Sequence, residues 1–393
     1  MNTGPPIFSQ LISFASRYEF NKCVQRYAGN LEPRIFSYWD QFLTLAFAQL
    51  TFRESLRDIE VCLSALGSKT YNMGFRSRVT RSTLADANDR RDCRIWSDFA
   101  YVLIAEAREL YVGEVLEIEF DKAMYAIDST TISLCLSLCP WARFRSKKGA
   151  IKLHTQLDLR GNIPSFILIS QGKLNDVNFL DDIIIEAGAM YVLDRGYFDF
   201  SRLFNFTLHG AFFVTRLKKN VLYRRIKIFH RSKTTPVRCD AMIVPLSRKA
   251  RKHYPQPLRL IEYFDAHTNK KLVFITNNLL LPAQAIADIY KSRWQIELFF
   301  KWVKQNLHIK TFFGTSLNAV TTQIWTAISV YLLLAIAKKK LNLQNSLHSM
   351  LQVFSVSPGE KIPILQAFSR HLDQKDTLHK DIQLNLFDIP TGQ

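Results

Sequence analysis

The sequence predicts an α/β chain with a mixed sheet, an all-helical N-terminal part and a β-rich, basic stretch set within the α/β region. Three observations predict it. Residues 1 to about 70 show no strand-like alternation. From about Met124 the texture changes to short apolar runs that read as three strands and then alternating helices and strands. Between Arg216 and Lys252, 13 Lys or Arg stand against a single acid, Asp240.

At 393 residues the chain is long enough for at least two folding units of the usual size, roughly 100 to 200 residues each. The 52 Lys and Arg against 34 Asp and Glu leave a net charge of +18, a field that favours polyanions, so nucleic acid is the first partner to consider. Disorder is excluded by 48% hydrophobic residues, including 29 Phe and 14 Tyr, which bury enough apolar surface to offset the ordering entropy. The six cysteines (Cys23, Cys62, Cys93, Cys135, Cys139, Cys239) form no CxxC pair, so neither a zinc site nor a disulfide framework is signalled, and a reducing cytoplasm fits. The N-terminus MNTGPPIFSQLISF lacks the features of a signal peptide. The longest apolar run, Ile324 to Ala337, has 14 residues, short of the roughly 20 a membrane helix needs. It reads as a buried helix with Lys338, Lys339 and Lys340 at its C-terminal end, and no membrane is implied.

In chain order, ESLRDIEVCLSALG places Leu56, Ile59, Leu63 and Leu66 on one helical stripe that stops at Gly67. Next, Ser82 or Thr83 caps a short helix, with Arg76, Arg78 and Arg81 before it and Arg90, Arg91 and Arg94 within or beyond it. Helix, glycine turn and basic second helix suit a helix-turn-helix DNA reader, against the alternative of a solvated basic helix in a bundle. MYAIDSTTISL reads as a strand. KLHTQLDL and NIPSFILIS read as two strands joined at Arg160, Gly161 and Asn162. A helix is expected through FLDDIIIEAGA, then a strand MYVLD, a helix in FDFSRLFNFTLHG and a strand AFFVTRL. The basic stretch reads as a β-rich insertion with a positive face.

One further helix starts at Pro282 and runs on through AQAIADIYKSRWQIELFFKWVKQNLHI. At about 100° per residue, Tyr290, Arg293, Glu297 and Lys304 share an arc of about 60°. Ile289, Ile296, Phe300, Val303 and Leu307 make the adjoining core stripe, which aims the polar line into a cleft. The alternative is charge pairing along a surface helix.

These residues carry a resemblance. The spacing Tyr290-x2-Arg293-x3-Glu297-x6-Lys304 matches the signature of the insertion-sequence-4 family of DDE transposases. YAIDSTTI supplies Asp128 at the end of the first strand, and YVLDRGYFDF supplies Asp194 with Gly196 and Tyr197, again as in that family. The likeness covers about residues 120 to 340, and residues 1–95 resemble the helical DNA-binding domain often fused in this group. It implies a ribonuclease-H-like mixed sheet in two parts, 96–215 and 281–345, interrupted by the basic insertion 216–280 and followed by a tail, 346–393.

By the same resemblance Asp128, Asp194 and Glu297 are the catalytic, metal-holding acids, and Tyr290, Arg293 and Lys304 contact the DNA backbone. Hard Mg²⁺ prefers carboxylate oxygens, so three acids suffice for two ions, with Mn²⁺ as a substitute. The acids lie 66 and 103 residues apart, so only tertiary folding unites them. Composition alone does not separate them from Asp158, Asp181, Asp182 and Glu186. Arg81, Arg90, Arg91, Lys218, Lys219, Arg224 and Arg225 are further candidate DNA contacts. Relatives that cut through a DNA hairpin place a flipped base on an aromatic residue. No Trp lies between Trp141 and Trp294, which leaves Tyr223, Phe229, Tyr254, Tyr263 or Phe264 for that role.

The expected function is strand cleavage and transfer at the inverted repeats of an insertion sequence, on double-stranded DNA, by a homodimer in a bacterial cytoplasm. The alternatives are a non-catalytic repressor derived from a transposase and a structure-specific metal-dependent nuclease. In the tail, Gln383 to Phe387 (QLNLF) resembles the peptide by which bacterial replication proteins dock on the sliding clamp, against the reading of a short strand packing on the core.

Overall fold

A computed structural model of the chain describes residues 4–28, 33, 35–114, 116, 120–145, 148–266, 268–306 and 312–368. The expected clamp-docking peptide lies outside them. The chain divides into two compact units, residues 1–110 with 302–393, and residues 111–301. This differs from the five consecutive segments read from the sequence, because the C-terminal helices pack with the N-terminal ones.

The first unit is helical. Its centre is the helix Tyr38–Leu50, buried along nearly its whole length and begun by a capping box between Ser37 and Asp40. Against it packs the helix Leu317–Lys340, which extends the apolar run seen in the sequence. That helix is long and apolar enough to cross a bilayer, and 94% of its most apolar window is buried inside the protein. Its first turn is fastened by Asn318, which accepts from Cys93 N (3.0 Å) and donates to Asn88 O (2.8 Å) and Arg91 O (2.6 Å). The first helix, Ile7–Ile12, is likewise tied to the far end of the chain. Ile7 N donates to Glu360 O (2.9 Å), and the Gln10 amide pairs with Ile362 O (2.7 Å) and Ile364 N (2.8 Å).

The helix Leu56–Leu66 ends at Gly67 as expected, with φ +54°. Before the basic helix Arg81–Arg90, however, come a short helix Lys69–Asn72 and an extended stretch, so a three- or four-residue turn does not join the two. A helix-turn-helix is therefore absent here. The cap of Arg81–Arg90 is Thr80, in place of the expected Ser82 or Thr83.

The second unit is built on one ten-stranded sheet among the described residues. Its strands are β1 (Met124–Leu134), β2 (Arg143–Arg145), β3 (Lys148–Asp158), β4 (Ile163–Gln171), β5 (Met190–Leu193), β6 (Phe212–Arg216), β7 (Tyr223–Arg231), β8 (Val237–Pro245), β9 (Leu258–Asp265) and β10 (Lys270–Thr276). β4, β3 and β1 are antiparallel neighbours, while β5 and then β6 run parallel to β1. This is the ribonuclease-H-like mixed sheet. MYAI of β1 and MYVL of β5 are buried on both faces, which is why they read as unbroken apolar runs. The turn between β3 and β4 needs Gly161, whose φ is +73° and whose added Cβ would strike the Tyr111 ring at 2.1 Å.

The basic insertion does not form a separate layer. β10 pairs antiparallel with β6, and β9, β8 and β7 continue outward. Strand β7, YRRIKIFHR, is exposed along almost its full length, and its positive charges blunt an edge that would otherwise pair with another chain. The insertion is fixed to the rest of the unit by a buried pair. Arg259 binds both Asp240 oxygens (2.9 and 2.7 Å) and donates to Leu281 O (2.6 Å), just before the helix Ala283–Ser292. Asp240→Ala should cost about 3–5 kcal/mol, because it leaves a buried guanidinium unpaired. Urea titration of the variant gives the value, and a loss below 1 kcal/mol contradicts the pair's role.

Two local expectations fail. No α-helix runs through residues 179–189. A 3₁₀ turn, Asp176–Asp181, is followed by irregular chain in which Ile184 is 90% exposed. Three consecutive β-branched Ile residues are poor helix formers, and the Tyr191 hydroxyl takes Glu186 N (2.8 Å) in place of a helical bond. The signature helix is also not continuous, being split into Ala283–Ser292 and Trp294–Asn306 at Arg293.

Candidate active site

Strands β1 and β5 pair in parallel up to Ile127 and Leu193, so the next residues, Asp128 and Asp194, stand at the same level on neighbouring strands roughly 4.8 Å apart. Asp128 is not at a strand end as expected. β1 continues along β3 to Leu134 after β5 has stopped, which leaves Asp128 in mid-strand with one flank uncovered. Asp194 opens a 3₁₀ turn and caps it by accepting from Gly196 N (3.2 Å). Thr215 pairs with Leu193 on the other side, so Arg216 stands one register on, beside Asp194.

The third acid arrives on the split helix. Around Arg293 the ladder tightens. Arg293 N reaches Tyr290 O (3.3 Å) and Ile296 N reaches Arg293 O (3.1 Å), both three-residue spans. The break is held by Ser292, whose hydroxyl bonds Ile289 O (2.6 Å), and by Asn162 of the β3–β4 turn, which donates to Gln295 (3.3 Å). The Arg293 guanidinium thereby forms a clasp. One nitrogen donates to Asp128 Oδ2 (3.0 Å) and the other to Glu297 Oε1 (2.5 Å), while its Nε has no partner.

Burial pushes the Asp128 carboxyl up to about 6, with Ser129 N–H and Arg293 opposing the shift and the charges of Asp194 and Glu297 adding to it. Asp194 and Glu297 are thus both near enough for their charges to act on Asp128. Among the described residues, however, no three His, Cys, Asp or Glu side chains are grouped so as to hold a metal ion. Three carboxylates are the right donors for a hard divalent cation, but here the positive charge between Asp128 and Glu297 is a guanidinium. The site is a charge cluster in which Arg293 stands between two of the three acids expected to hold the ions.

The raised Asp128 value has a consequence for stability. A carboxyl that binds its proton more tightly folded than unfolded contributes fully below its unfolded value near 3.8, and this is lost as pH rises through about 6. The loss is on the order of 3 kcal/mol. In EDTA, Asp128→Asn should therefore melt higher than wild type at pH 7.5, with the difference closing towards pH 4. Thermal melts at the two pH values test this, and equal melting at both would contradict it.

Tyr290, expected at the DNA backbone, is largely buried. It is 8% exposed, its ring lies 4.6 Å from that of Phe274, and Arg293 covers it. The three-residue span to Arg293 nearly eclipses the two side chains, so Tyr290 stays beside Arg293, and the charges of Asp194 and Arg216 also act on its hydroxyl. Lys304 is half-buried on the last turns of Trp294–Asn306, in the part that clusters with the helical unit. Arg81 and Arg90 are exposed at the two ends of their helix. Arg91 is instead engaged inside the helical unit, donating to Ser37 O (2.9 Å) and Gln41 (3.0 Å) and lying over the Tyr38 ring, which takes it from the phosphate-binding set. Lys218 donates to Phe198 O (2.9 Å) and Arg225 pairs with Glu262 (2.7 Å), whereas Lys219 and Arg224 are exposed.

Three of the four rival acids are engaged elsewhere, and Asp182 is exposed. Asp158 is buried with Arg160 (2.7 Å), Asp181 pairs with Arg202 (2.5 Å), and Glu186 accepts from the Tyr125 hydroxyl (2.5 Å). Of the aromatic candidates Tyr254 and Tyr263 are buried and Arg238 covers Phe264, while Phe229 is 47% exposed. Trp294, next to Arg293, is 58% exposed and was not singled out for a role from the sequence. Arg216 was missed as well, since only its register beside Asp194 sets it apart from its basic neighbours.

Residues 119–333 match the family described as "Transposase DDE domain". The chain belongs to the DDE transposase family. Residues 3–76 match "Domain of unknown function (DUF4372)". The chain is 35% identical over 261 residues to "Putative transposase y4zB" of Sinorhizobium fredii, covering 65% of this chain and 71% of that one. It is 31% identical over 222 residues to "Probable transposase for insertion sequence element IS5377" of Geobacillus stearothermophilus, covering 55% and 57%. A piggyBac transposase synaptic complex with hairpin DNA superposes with a TM-score of 0.45 at 11% identity, over 98% of this chain and 84% of that one. The protein is a transposase.

Proposed function

We propose that this transposase cuts and rejoins DNA at the ends of an insertion sequence, using Asp128, Asp194 and Glu297 to hold two Mg²⁺ ions, for which Mn²⁺ substitutes. The observation that carries the reading is the Arg293 clasp on Asp128 and Glu297, with Asp194 at the end of the strand parallel to the one that carries Asp128. Such ions supply positive charge at the attacking and leaving oxygens of a phosphodiester.

The remaining work falls to the chain's own side chains. Arg293 leaves the carboxylates for a phosphate, which it can take with two nitrogens, and its unpartnered Nε adds a third donor. Arg216, beside Asp194, offers a second cation to the same strand. Exposed Lys219 and Arg224 hold the backbone further out, and so do Arg81 and Arg90 on the helical unit. Two copies, one per element end, assemble on the DNA.

Labelled DNA carrying the element's inverted repeats, incubated with Mg²⁺, tests the reading. Nicking followed by joining of the freed 3′ end to target DNA is the expected result. Binding without cutting would make the protein a repressor, and cutting without joining a nuclease. The tail peptide QLNLF is proposed to dock on the sliding clamp. Clamp retained by the chain should be lost on Leu386→Ala with Phe387→Ala, and retention by that variant ends the idea.

A further inference from the structure

Between the C-terminal end of the helix Leu56–Leu66 and the extended stretch that leads to Arg81–Arg90 lies a cleft of about 470 Å³. Along that stretch burial alternates. Phe75 and Val79 are 4% and 5% exposed and, with Leu63, give the cleft an apolar floor, while Arg76 and Arg78 stand exposed at its rim. Ser77 lies between the two buried side chains, and its hydroxyl is shut off from water with no hydrogen-bond partner. An orphaned hydroxyl in the wall of a cleft carries a cost that a polar ligand removes.

Arg76 is held in place although it is exposed. Its guanidinium lies over the Tyr71 ring at 4.3 Å, one terminal nitrogen donates to Tyr71 O (2.9 Å) and Phe75 O (3.2 Å), and its backbone N donates to Asp40 Oδ1 (3.1 Å). These contacts fix a flat cation with one face against a ring and the other open. Unstacked nucleic-acid bases lie on such guanidinium planes as they do on aromatic rings. Arg78 follows two residues later on the same side of the extended chain. Among the described residues it has no partner, so its fork of donors is free for a phosphate.

We propose that this cleft takes one unstacked nucleotide of single-stranded DNA, its base on the Arg76 plane with an edge towards the Ser77 hydroxyl and its phosphate on Arg78. This rests on the DNA-binding role given to the helical unit. In place of the absent helix-turn-helix, the unit grips an unpaired strand, of the kind that a nicked duplex end releases.

Fluorescence anisotropy on the full chain tests it, with a short labelled oligothymidylate and an abasic strand of equal length and charge. Wild type should bind the oligothymidylate about 10-fold more tightly, the scale of one stacked base. Arg76→Lys keeps the charge and loses the plane, so it should abolish that difference with melting unchanged. Ser77→Ala should reduce the difference, with melting unchanged or raised, and Arg78→Gln should weaken both strands alike. Wild type that does not tell the two strands apart overturns the inference, and so does a preference that survives Arg76→Lys. Thymidine monophosphate that binds as tightly as the oligothymidylate overturns the strand as the ligand. Duplex end DNA bound without any preference between the two single strands sinks the inference alone, whereas a wild type that binds no DNA sinks the DNA-binding reading with it.

Discussion

Asp128→Asn, Asp194→Asn and Glu297→Gln are each expected to lower cleavage of end DNA on the order of 10³-fold or more, with DNA retention changed only a few-fold. The three side chains come from separate elements, so no one variant disturbs the backbone that carries the others. Each exchange keeps the size and most of the hydrogen bonding of the side chain. What it removes is one of three negative charges, of which Asp194 and Glu297 help to raise the proton affinity of Asp128. Gel shift and single-turnover cleavage on the same labelled duplex separate binding from chemistry. A variant that cuts within tenfold of wild type would remove that residue from the catalytic set. Loss of binding in parallel with cutting would point to a damaged fold, which melting curves reveal.

Arg293→Gln should act in two directions at once. Cleavage should fall by about 10³-fold, the scale on which an arginine supports phosphoryl transfer. Divalent binding without DNA should nevertheless become tighter, because no internal cation then has to be displaced from Asp128 and Glu297. The same variant should melt lower in EDTA, since the two carboxylates lose the charge between them, and divalent cation should restore more stability to it than to wild type. Unchanged affinity alongside lost cleavage would mean that Arg293 serves the phosphate alone.

Much of the sheet was legible because its central strands are buried on both faces and bounded by turn residues. β1, β5, β6 and the β3–β4 turn appear where the apolar runs and Gly161 place them. Boundaries that depend on packing were not legible. Ile183, Ile184 and Ile185 look like one turn of an apolar helix, but Ile184 ends up in solvent and no local signal says so. Likewise, the helical wheel through Tyr290, Arg293 and Glu297 assumes an unbroken ladder. Three-residue spans on both sides of Arg293 break that ladder, and Arg293 stands between two acids while the Tyr290 ring is largely buried beside it. The spacing motif singled out the acids and Arg293, since their identities are fixed by chemistry. Arg216 was hidden because its significance comes from strand register, which is not a property of neighbouring letters.

The helical unit is stitched from the two ends of the chain, with Ile7 and Gln10 bonded to residues 360–364 and Asn318 bonded to the segment 88–93. During synthesis the sheet unit is complete on emergence, while Tyr38–Leu50 must wait for the last 90 or so residues before its apolar flank is covered. A message broken before residue 302 should therefore yield no durable N-terminal fragment to compete for the element's ends, and quality control should remove it instead.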